Sequence, residues 1–224
     1  MRYFILKCIL FSTILLAMHK AQASNIVVAV IDTGASTEGE NIPYCKVGHM
    51  DFTKSGITGD ESPSRHGSNV TSVIARNAGS KGYCIVHLKV YRKDRIDLTA
   101  YFAALKYVTD LRPNILNLSL SGGFPIEEET KLIKLALDQG TVVVAAAGNK
   151  GLILTPENCN TYPACIDRRI FVIGAKDQAY SNKGSIVDTY ENAVHYGGGV
   201  TLSGTSQAAA QFTGKAIKLA VEQK

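Results

Sequence analysis

The chain has 224 residues, of which 46% are hydrophobic and 19% are charged, and its formal net charge is +5. This length and composition are typical of a single globular domain and exclude a disordered chain. Three of the 24 basic residues lie in the first 23 positions, which contain no acid; the other 21 basic and 19 acidic residues nearly cancel, which argues against nucleic-acid binding.

The N-terminal segment has the pattern of a secretory signal peptide. Basic residues precede an apolar stretch over residues 8–18, and Ala21 and Ala23 are small residues at the positions that signal peptidase recognises. The alternative is a membrane anchor, but eleven helical residues span only about 16 Å of a hydrocarbon core of about 30 Å. We predict a signal peptide over residues 1–23, no stable membrane anchor, and export to the periplasm or the extracellular space.

The mature chain, residues 24–224, alternates apolar runs with amphipathic stretches. In chain order, this pattern predicts a strand at 25–31, a helix at 67–76, a strand at 83–90, a helix at 98–108, a strand at 114–118, a helix at 126–139, strands at 141–146 and 170–173, and a helix at 205–221. Residues 39–60 and 155–167 read as loops. Alternating strands and helices predict one α/β domain, a three-layer sandwich with a mostly parallel sheet and helices on both faces.

Polar residues follow three of the predicted strands directly. Asp32 follows the first strand, Ser119 follows the strand at 114–118, and Gly148 and Asn149 follow the strand at 141–146. In open parallel sheets, ligands bind outside the carboxyl ends of the strands. We therefore expect these residues to lie at one functional edge of the sheet.

Four cysteines remain after removal of the signal peptide: Cys45, Cys84, Cys159 and Cys165. An even number in an exported protein predicts two disulfides, with three possible pairings. The short loop between Cys159 and Cys165 favours that pair, which leaves Cys45–Cys84. Free thiols or a metal site are the alternatives; because there is no CxxC pair, we predict no metal site.

Four residues together have the chemistry that peptide hydrolysis by a serine requires. Asp32 is a carboxylate that can orient an imidazole, His66 begins a helix, and Ser206 lies where the last helix begins. Asn149 offers an amide donor for an oxyanion. Each motif alone has an ordinary structural explanation, such as a turn or a helix cap, but their co-occurrence in this order on the predicted elements favours catalysis.

These segments resemble the subtilisin-like serine proteases, the subtilases, which share the order Asp, His, Ser. The resemblance implies a secreted serine endopeptidase with Asp32, His66 and Ser206 as catalytic triad, Asn149 in the oxyanion hole, and an acyl-enzyme intermediate. It also implies that the substrate lies between two walls. One wall contains Ser119, Leu120, Ser121 and Gly122, and the other Ala146, Ala147 and Gly148. These residue types predict an open apolar pocket.

Two departures from the family pattern motivate an alternative. Only eight residues separate Ser24 from Asp32, which leaves no room for a propeptide, so we expect unaided folding, a separate folding helper, or a separate inhibitor. The residues after His66 and Ser206 also differ, with Ser68-Asn69 and Gln207 in place of the usual types. The alternative function is a catalytically degenerate subtilase that binds a peptide or protein without turnover.

The remaining expectations concern partners and cofactors. The substrate class is a peptide or protein, and we expect a monomer that requires no cofactor. Calcium supports many subtilases, but no acidic cluster with a recognisable loop spacing is present, so no calcium site is assigned.

Overall fold

The computed structural model describes residues 25–223, so the predicted signal peptide lies outside the described residues. Four helices are present in this part of the chain: α1 His66–Ala78, α2 Leu98–Leu111, α3 Glu127–Asp138 and α4 Thr205–Glu222. None of these helices combines the length and the apolar character that a membrane span requires.

Seven strands form one sheet in the order β2-β3-β1-β6-β7-β8-β9. Their bounds are β1 Ile26–Asp32, β2 Tyr44–Asp51, β3 Tyr83–Lys89, β6 Ile115–Leu118, β7 Val142–Ala146, β8 Phe171–Ala175 and β9 Thr189–Glu191. Every neighbouring pair is parallel. Two small antiparallel hairpins complete the strands: β4 Tyr91–Arg92 with β5 Arg95–Ile96, and β10 Val194–Gly197 with β11 Val200–Ser203.

Helices cover both faces of the sheet, which gives three layers. Helices α1 and α4 pack on one face, where Val28, Val30 and Val144 contribute to the core. Helices α2 and α3 pack on the other face. Alternate residues of the same strands, such as Ala29 and Val143, contribute to the core on that face. Strands buried on both faces read as continuous apolar runs, which is why the central strands were predictable. The predicted three-layer α/β fold is confirmed.

The predicted helices and central strands agree with the structure to within a few residues. The prediction was wrong for the region 39–60, which contains β2, and it omitted β9 and both hairpins. The cause is exposure: residues of β2 are half-buried or exposed along its whole length, and so is most of the β10–β11 hairpin. Edge strands of this kind have no regular apolar pattern.

Both favoured disulfides are present. Cys45–Cys84 joins edge strand β2 to its neighbour β3. Cys159–Cys165 closes a loop of sequence separation 6 that follows β7. The first bond therefore ties the edge of the sheet to its core, and the second holds a short loop near the edge where the candidate site lies.

Candidate active site

Asp32 and His66 form a bonded pair at the carboxyl edge of the sheet. His66 Nδ1 lies 2.8 Å from Asp32 Oδ1. The side chain of Asp32 is 3% exposed, whereas that of His66 is 26% exposed. The same carboxylate oxygen accepts a hydrogen bond from the Thr33 N–H at 2.8 Å. The carboxylate is thus shielded and oriented, while the imidazole keeps partial contact with the solvent.

Close backbone packing places His66 beside Asp32. Helix α1 begins at His66, and its next residue, Gly67, packs so tightly that a Cβ would lie 2.2 Å from the Gly34 carbonyl oxygen. Only glycine permits this approach. The Gly67 N–H also donates to Thr33 Oγ1 at 2.8 Å. The first turn of α1 is therefore fixed against the end of β1.

Sequence analysis missed Asp60, which caps α1. Asp60 Oδ2 accepts hydrogen bonds from the N–H and the hydroxyl of Ser68 at 2.9 and 2.7 Å. Asp60 Oδ1 accepts from Thr33 Oγ1 at 2.9 Å. A carboxylate at this position satisfies a free N–H group and complements the positive end of the helix dipole. No local motif marked Asp60, because it lies outside the helix that it caps.

A buried lysine holds the neighbouring loop in place. Lys89 is 1% exposed and is paired in register with Asp32 across β1 and β3. Its ammonium donates to Glu61 and to the Ile57 carbonyl oxygen. These bonds anchor the segment 51–62 over the edge of the sheet.

The environment of His66 raises its pKa above the usual 6.5. Burial alone would lower the pKa, and this is the largest single influence, but the charge of Asp32 and its hydrogen bond act in the opposite direction. The charge of Asp60 adds a smaller contribution in the same sense. Together the carboxylates outweigh the burial and stabilise the imidazolium form.

A second histidine lies buried behind this pair. His87 on β3 is 1% exposed, and neither ring nitrogen has a hydrogen-bond partner within residues 25–223. Burial lowers its pKa to about 4, although the charge of Asp32 opposes the shift. His87 is therefore neutral at pH 7.

Ser206 lies in the first turn of α4 and is 8% exposed. Ser206 Oγ donates to the Ser119 carbonyl oxygen at 3.0 Å, and Ser119 Oγ donates to the Ser206 carbonyl oxygen at 2.9 Å. This reciprocal pair joins the start of α4 to the end of β6. The structure therefore contains the bonded Asp32–His66 pair, but no hydrogen bond between Ser206 and His66.

Asn149 follows β7 and contacts the residue before Ser206. Its Oδ1 accepts hydrogen bonds from the N–H and the hydroxyl of Thr205, both at 2.9 Å. Thr205 Oγ1 in turn accepts from the Gly148 N–H at 3.1 Å. The Nδ2 group of Asn149 makes no hydrogen bond within the described residues, so the carboxamide is held by its oxygen and keeps its donor free.

A pocket of about 200 Å³ opens beside Asn149. Of the predicted wall residues, Ser121 and Gly122 line it from one side and Gly148 from the other. Gly122 forms two backbone hydrogen bonds with Tyr162, at 2.7 and 2.9 Å, which hold that wall in place.

The pocket beside Asn149 is not lined by the expected apolar residues. Ala146 and Ala147 are 2% and 0% exposed and belong to the sheet core, and neither they nor Ser119 and Leu120 line the pocket. The residues that complete the lining are polar: Lys150, Asn160, Thr161 and Asn182. Sequence analysis missed these because none of them lies in the two predicted walls.

Two residues that depart from the family pattern contact each other. Gln207 Nε2 donates to Asn69 Oδ1 at 3.1 Å, which joins the first turns of α4 and α1. Asn69 Nδ2 lies within 3.2 Å of three backbone carbonyl oxygens of the segment 195–200. The altered residues thus form a satisfied buried network between the helix that bears His66 and the helix that bears Ser206.

No group of three or more His, Cys, Asp or Glu side chains within residues 25–223 is placed to hold a metal ion. The polar groups brought together at this edge are a bonded carboxylate–imidazole pair, a hydroxyl and a free amide donor. This set is chemically suited to nucleophilic attack on a carbonyl.

Comparisons with known proteins agree with this reading. The chain matches the model of the subtilase family over residues 23–223. It is 27% identical to thermitase of Thermoactinomyces vulgaris, over 89% of this chain and 76% of thermitase. The major intracellular serine protease of Bacillus subtilis (strain 168) is 26% identical, over 86% of this chain and 67% of that protein. The fold resembles the crystal structure of a cold adapted subtilisin-like serine proteinase, with a TM-score of 0.70 and 24% identity, over 85% of this chain and 73% of the other.

Proposed function

This chain belongs to the subtilase family of serine endopeptidases, and on that premise we propose that it hydrolyses peptide bonds through Asp32, His66 and Ser206. The observation that carries the proposal is the 2.8 Å contact between Asp32 Oδ1 and His66 Nδ1. A buried carboxylate bonded to a partly exposed imidazole fixes the ring, and stabilises the positive charge that the ring gains during catalysis.

The proposed reaction has two stages. Ser206 Oγ attacks the substrate carbonyl carbon while His66 Nε2 removes the hydroxyl proton, and the same proton then passes to the amine as the C–N bond breaks. Water attacks the carbonyl carbon of the resulting acyl-enzyme and loses a proton to His66. The ester C–O bond then breaks, His66 returns that proton to Ser206 Oγ, and the acid leaves. His66 Nε2 is suited to this role, because the imidazole ring makes its hydrogen bond to Asp32 through Nδ1. Within residues 25–223, Nε2 has no hydrogen-bond partner and can accept the proton.

The nucleophile must first change its partner. Its hydroxyl donates to the Ser119 carbonyl oxygen in this structure, and rotation about the Cα–Cβ bond of Ser206 would release it toward His66. The resemblance implies that the substrate backbone pairs with the segment that contains Ser119. We expect this pairing to compete for the carbonyl oxygen and so favour the rotated hydroxyl.

Asn149 would stabilise the oxyanion. Thr205 holds Oδ1 through two hydrogen bonds, so the Nδ2 donor is already oriented before the substrate binds. The carboxamide therefore does not have to reorient during the reaction. The Ser206 N–H, at the start of α4, is the second proposed donor.

The binding-module alternative is not favoured. It rested in part on the altered residues that follow His66 and Ser206, yet Asn69 and Gln207 are hydrogen-bonded to each other at 3.1 Å. Paired changes that keep both helices in contact indicate a preserved scaffold, and family membership supports protease function.

The proposal includes processing and location. Removal of residues 1–23 as a signal peptide would export one peptidase domain, residues 24–224, to the periplasm or the extracellular space. Two disulfides among the described residues are consistent with an oxidising compartment. We propose that the exported protein acts as a monomer on peptides or proteins, under the control of a separate inhibitor or folding helper.

The test combines covalent labelling with cleavage. Purified protein is treated with a sulfonyl fluoride, and labelled residues are mapped by mass spectrometry; a peptide library is digested in parallel. We expect labelling at Ser206, and cleavage that falls about 10⁴- to 10⁶-fold in Ser206→Ala. The matched control is Ser203→Ala, an exposed serine three residues away, which should cleave at the wild-type rate.

Two results would contradict the proposal. Folded wild-type protein that neither reacts at Ser206 nor cleaves any peptide would favour the binding module. Cleavage that survives in Ser206→Ala would assign the reaction to another nucleophile.

A further inference from the structure

The pocket beside Asn149 has a built polar floor. Asn182 Nδ2 donates to the Ala147 carbonyl oxygen at 2.8 Å and to Thr161 Oγ1 at 3.2 Å. Asn182 Oδ1 accepts from the backbone N–H groups of Lys150 and Leu152, at 3.2 and 2.9 Å. Both polar atoms of the Asn182 carboxamide are thus hydrogen-bonded within the protein. This residue therefore shapes the pocket, and its neighbours would contact a substrate side chain.

The polar groups that remain available include several donors. Lys150 is exposed, and its ammonium has no ion pair or hydrogen bond within residues 25–223. The side chain of Asn160 likewise has no hydrogen-bond partner among the described residues. Thr161 accepts a bond from Asn182, while its own hydroxyl proton has no assigned acceptor there. The disulfide Cys159–Cys165 closes the loop that presents both Asn160 and Thr161.

The charge of the pocket selects among substrate side chains. Lys150 is the charged residue of the lining, and the lining contains no carboxylate and no large apolar side chain. A basic substrate side chain would meet a like charge, and an apolar one would find no apolar surface to bury. A carboxylate would meet one positive charge and unused donors, the environment in which an anion is stabilised.

We propose that this pocket makes the protein selective for an acidic residue, Glu or Asp, immediately before the scissile bond, with Lys150 as the residue that determines the preference. The inference rests on the proposed function, because it places the substrate carbonyl at Ser206 and Asn149. Lys150 acts on the bound side chain and takes no part in the bond changes.

The test uses peptides that are identical except for the residue before the scissile bond, which is Glu, Gln, Leu or Lys. Gln matches Glu in shape and lacks its charge. We expect kcat/KM for Glu to exceed that for Gln by about 1.4- to fivefold, the range for an exposed ion pair, with Lys the poorest substrate. The ratio should fall toward one as NaCl is raised from 0.05 to 1 M, because salt screens exposed charges.

Variants assign the preference to one residue. Lys150→Met should bring the Glu to Gln ratio close to one, and Lys150→Glu should make Lys a better substrate than Glu. The matched control is Lys176→Met, which removes an exposed positive charge outside the pocket lining and should keep the wild-type ratio.

Failure of this inference is distinct from failure of the proposed function. Cleavage after Leu with no advantage of Glu over Gln would overturn the selectivity and leave the protease intact. A Glu preference unchanged in Lys150→Met would overturn the role of Lys150. No cleavage of any peptide, combined with no sulfonyl fluoride label at Ser206, would overturn both proposals.

Discussion

The two halves of the candidate active site differ in whether their side chains already make the contacts that the proposed mechanism needs. In the acid–base half, at the end of β1 and the start of α1, Asp32 and His66 are already in hydrogen-bond contact at 2.8 Å. In the nucleophile half, at the ends of β6 and β7 and the start of α4, Ser206 is bonded to the Ser119 carbonyl oxygen. In this structure one half already has the contact that the proposed mechanism needs, whereas the other would require rotation of the Ser206 side chain.

The difference follows from how each half is supported. Buried side chains and close backbone packing fix the acid–base half, including the capping contacts of Asp60 and the tight approach of Gly67. In the nucleophile half, backbone and threonine contacts fix the position of the chain, but the Ser206 hydroxyl is bonded to the Ser119 carbonyl oxygen and not to His66. Orienting charged groups during a reaction costs much free energy, whereas rotation of one hydroxyl costs little.

The largest expected effect tests the acid–base half. Asp32→Asn keeps the size of the side chain but removes the charge that orients and stabilises His66. We expect kcat to fall by about 10⁴-fold, with a smaller change in KM, because the carboxylate acts most strongly on the charged imidazolium of the transition state. Steady-state kinetics on a cleaved peptide measures both parameters.

Asp60→Asn is the matched control, since Asp60 also acts on the pKa of His66 but does not touch its ring. Its loss of kcat should be far smaller. The pH profile adds a second readout: His66 must be neutral to act as base, so kcat/KM should rise with pH through a midpoint above 6.5, and Asp60→Asn should move that midpoint lower. Equal losses in both variants would contradict a special role for the Asp32–His66 contact.

The next effect tests the nucleophile half. Asn149→Leu removes the proposed oxyanion donor, and we expect kcat to fall by about 10²- to 10³-fold with KM nearly unchanged, because the oxyanion develops only in the transition state. Thermal unfolding of the variant checks that the fold persists.

Thr205→Ala separates the donor from its support. This variant keeps the Asn149 carboxamide but removes a hydroxyl that donates to its oxygen at 2.9 Å. We expect kcat to fall by about tenfold, because the Asn149 donor would be placed less accurately. If Thr205→Ala were as damaging as Asn149→Leu, the carboxamide would be a structural contact and not an oxyanion donor.

The smallest expected effect on catalysis concerns His87, which lies behind the acid–base half. Its pKa is about 4 in the folded protein against 6.5 for an ordinary histidine. As pH falls from 6.5 toward 4 the unfolded chain takes up the proton first, so stability that is complete above pH 6.5 is progressively lost. The loss amounts to about 3 kcal/mol across this window.

His87→Leu should therefore flatten the dependence of stability on pH between 7 and 4.5, with little change in kcat. Urea unfolding at several pH values, in a Ser206→Ala background that prevents self-cleavage, measures this dependence. Parallel curves for the two proteins would show that another group causes the acid sensitivity.

Much of the molecule was accessible from sequence. The buried strands and amphipathic helices have apolar patterns of the right period, and the motifs around Asp32, His66, Asn149 and Ser206 follow those elements directly. Both disulfides followed from cysteine count and loop length. Apart from the Cys45–Cys84 pairing, which followed by elimination, these features depend on residues that are close together in the chain.

The sequence by itself therefore determined the α/β architecture and the identity of the candidate catalytic residues. Only the tertiary structure decided the exposed edge strand β2, the Asp60 cap, the acceptor of the Ser206 hydroxyl, and the polar floor that replaces the expected apolar pocket. Each of these depends on contacts between distant segments, such as Asn182 beneath Gly148, where a Cβ would lie 2.6 Å from Asn182 Nδ2. Such contacts arise from packing and leave no periodic trace along the chain, so no local pattern could predict them.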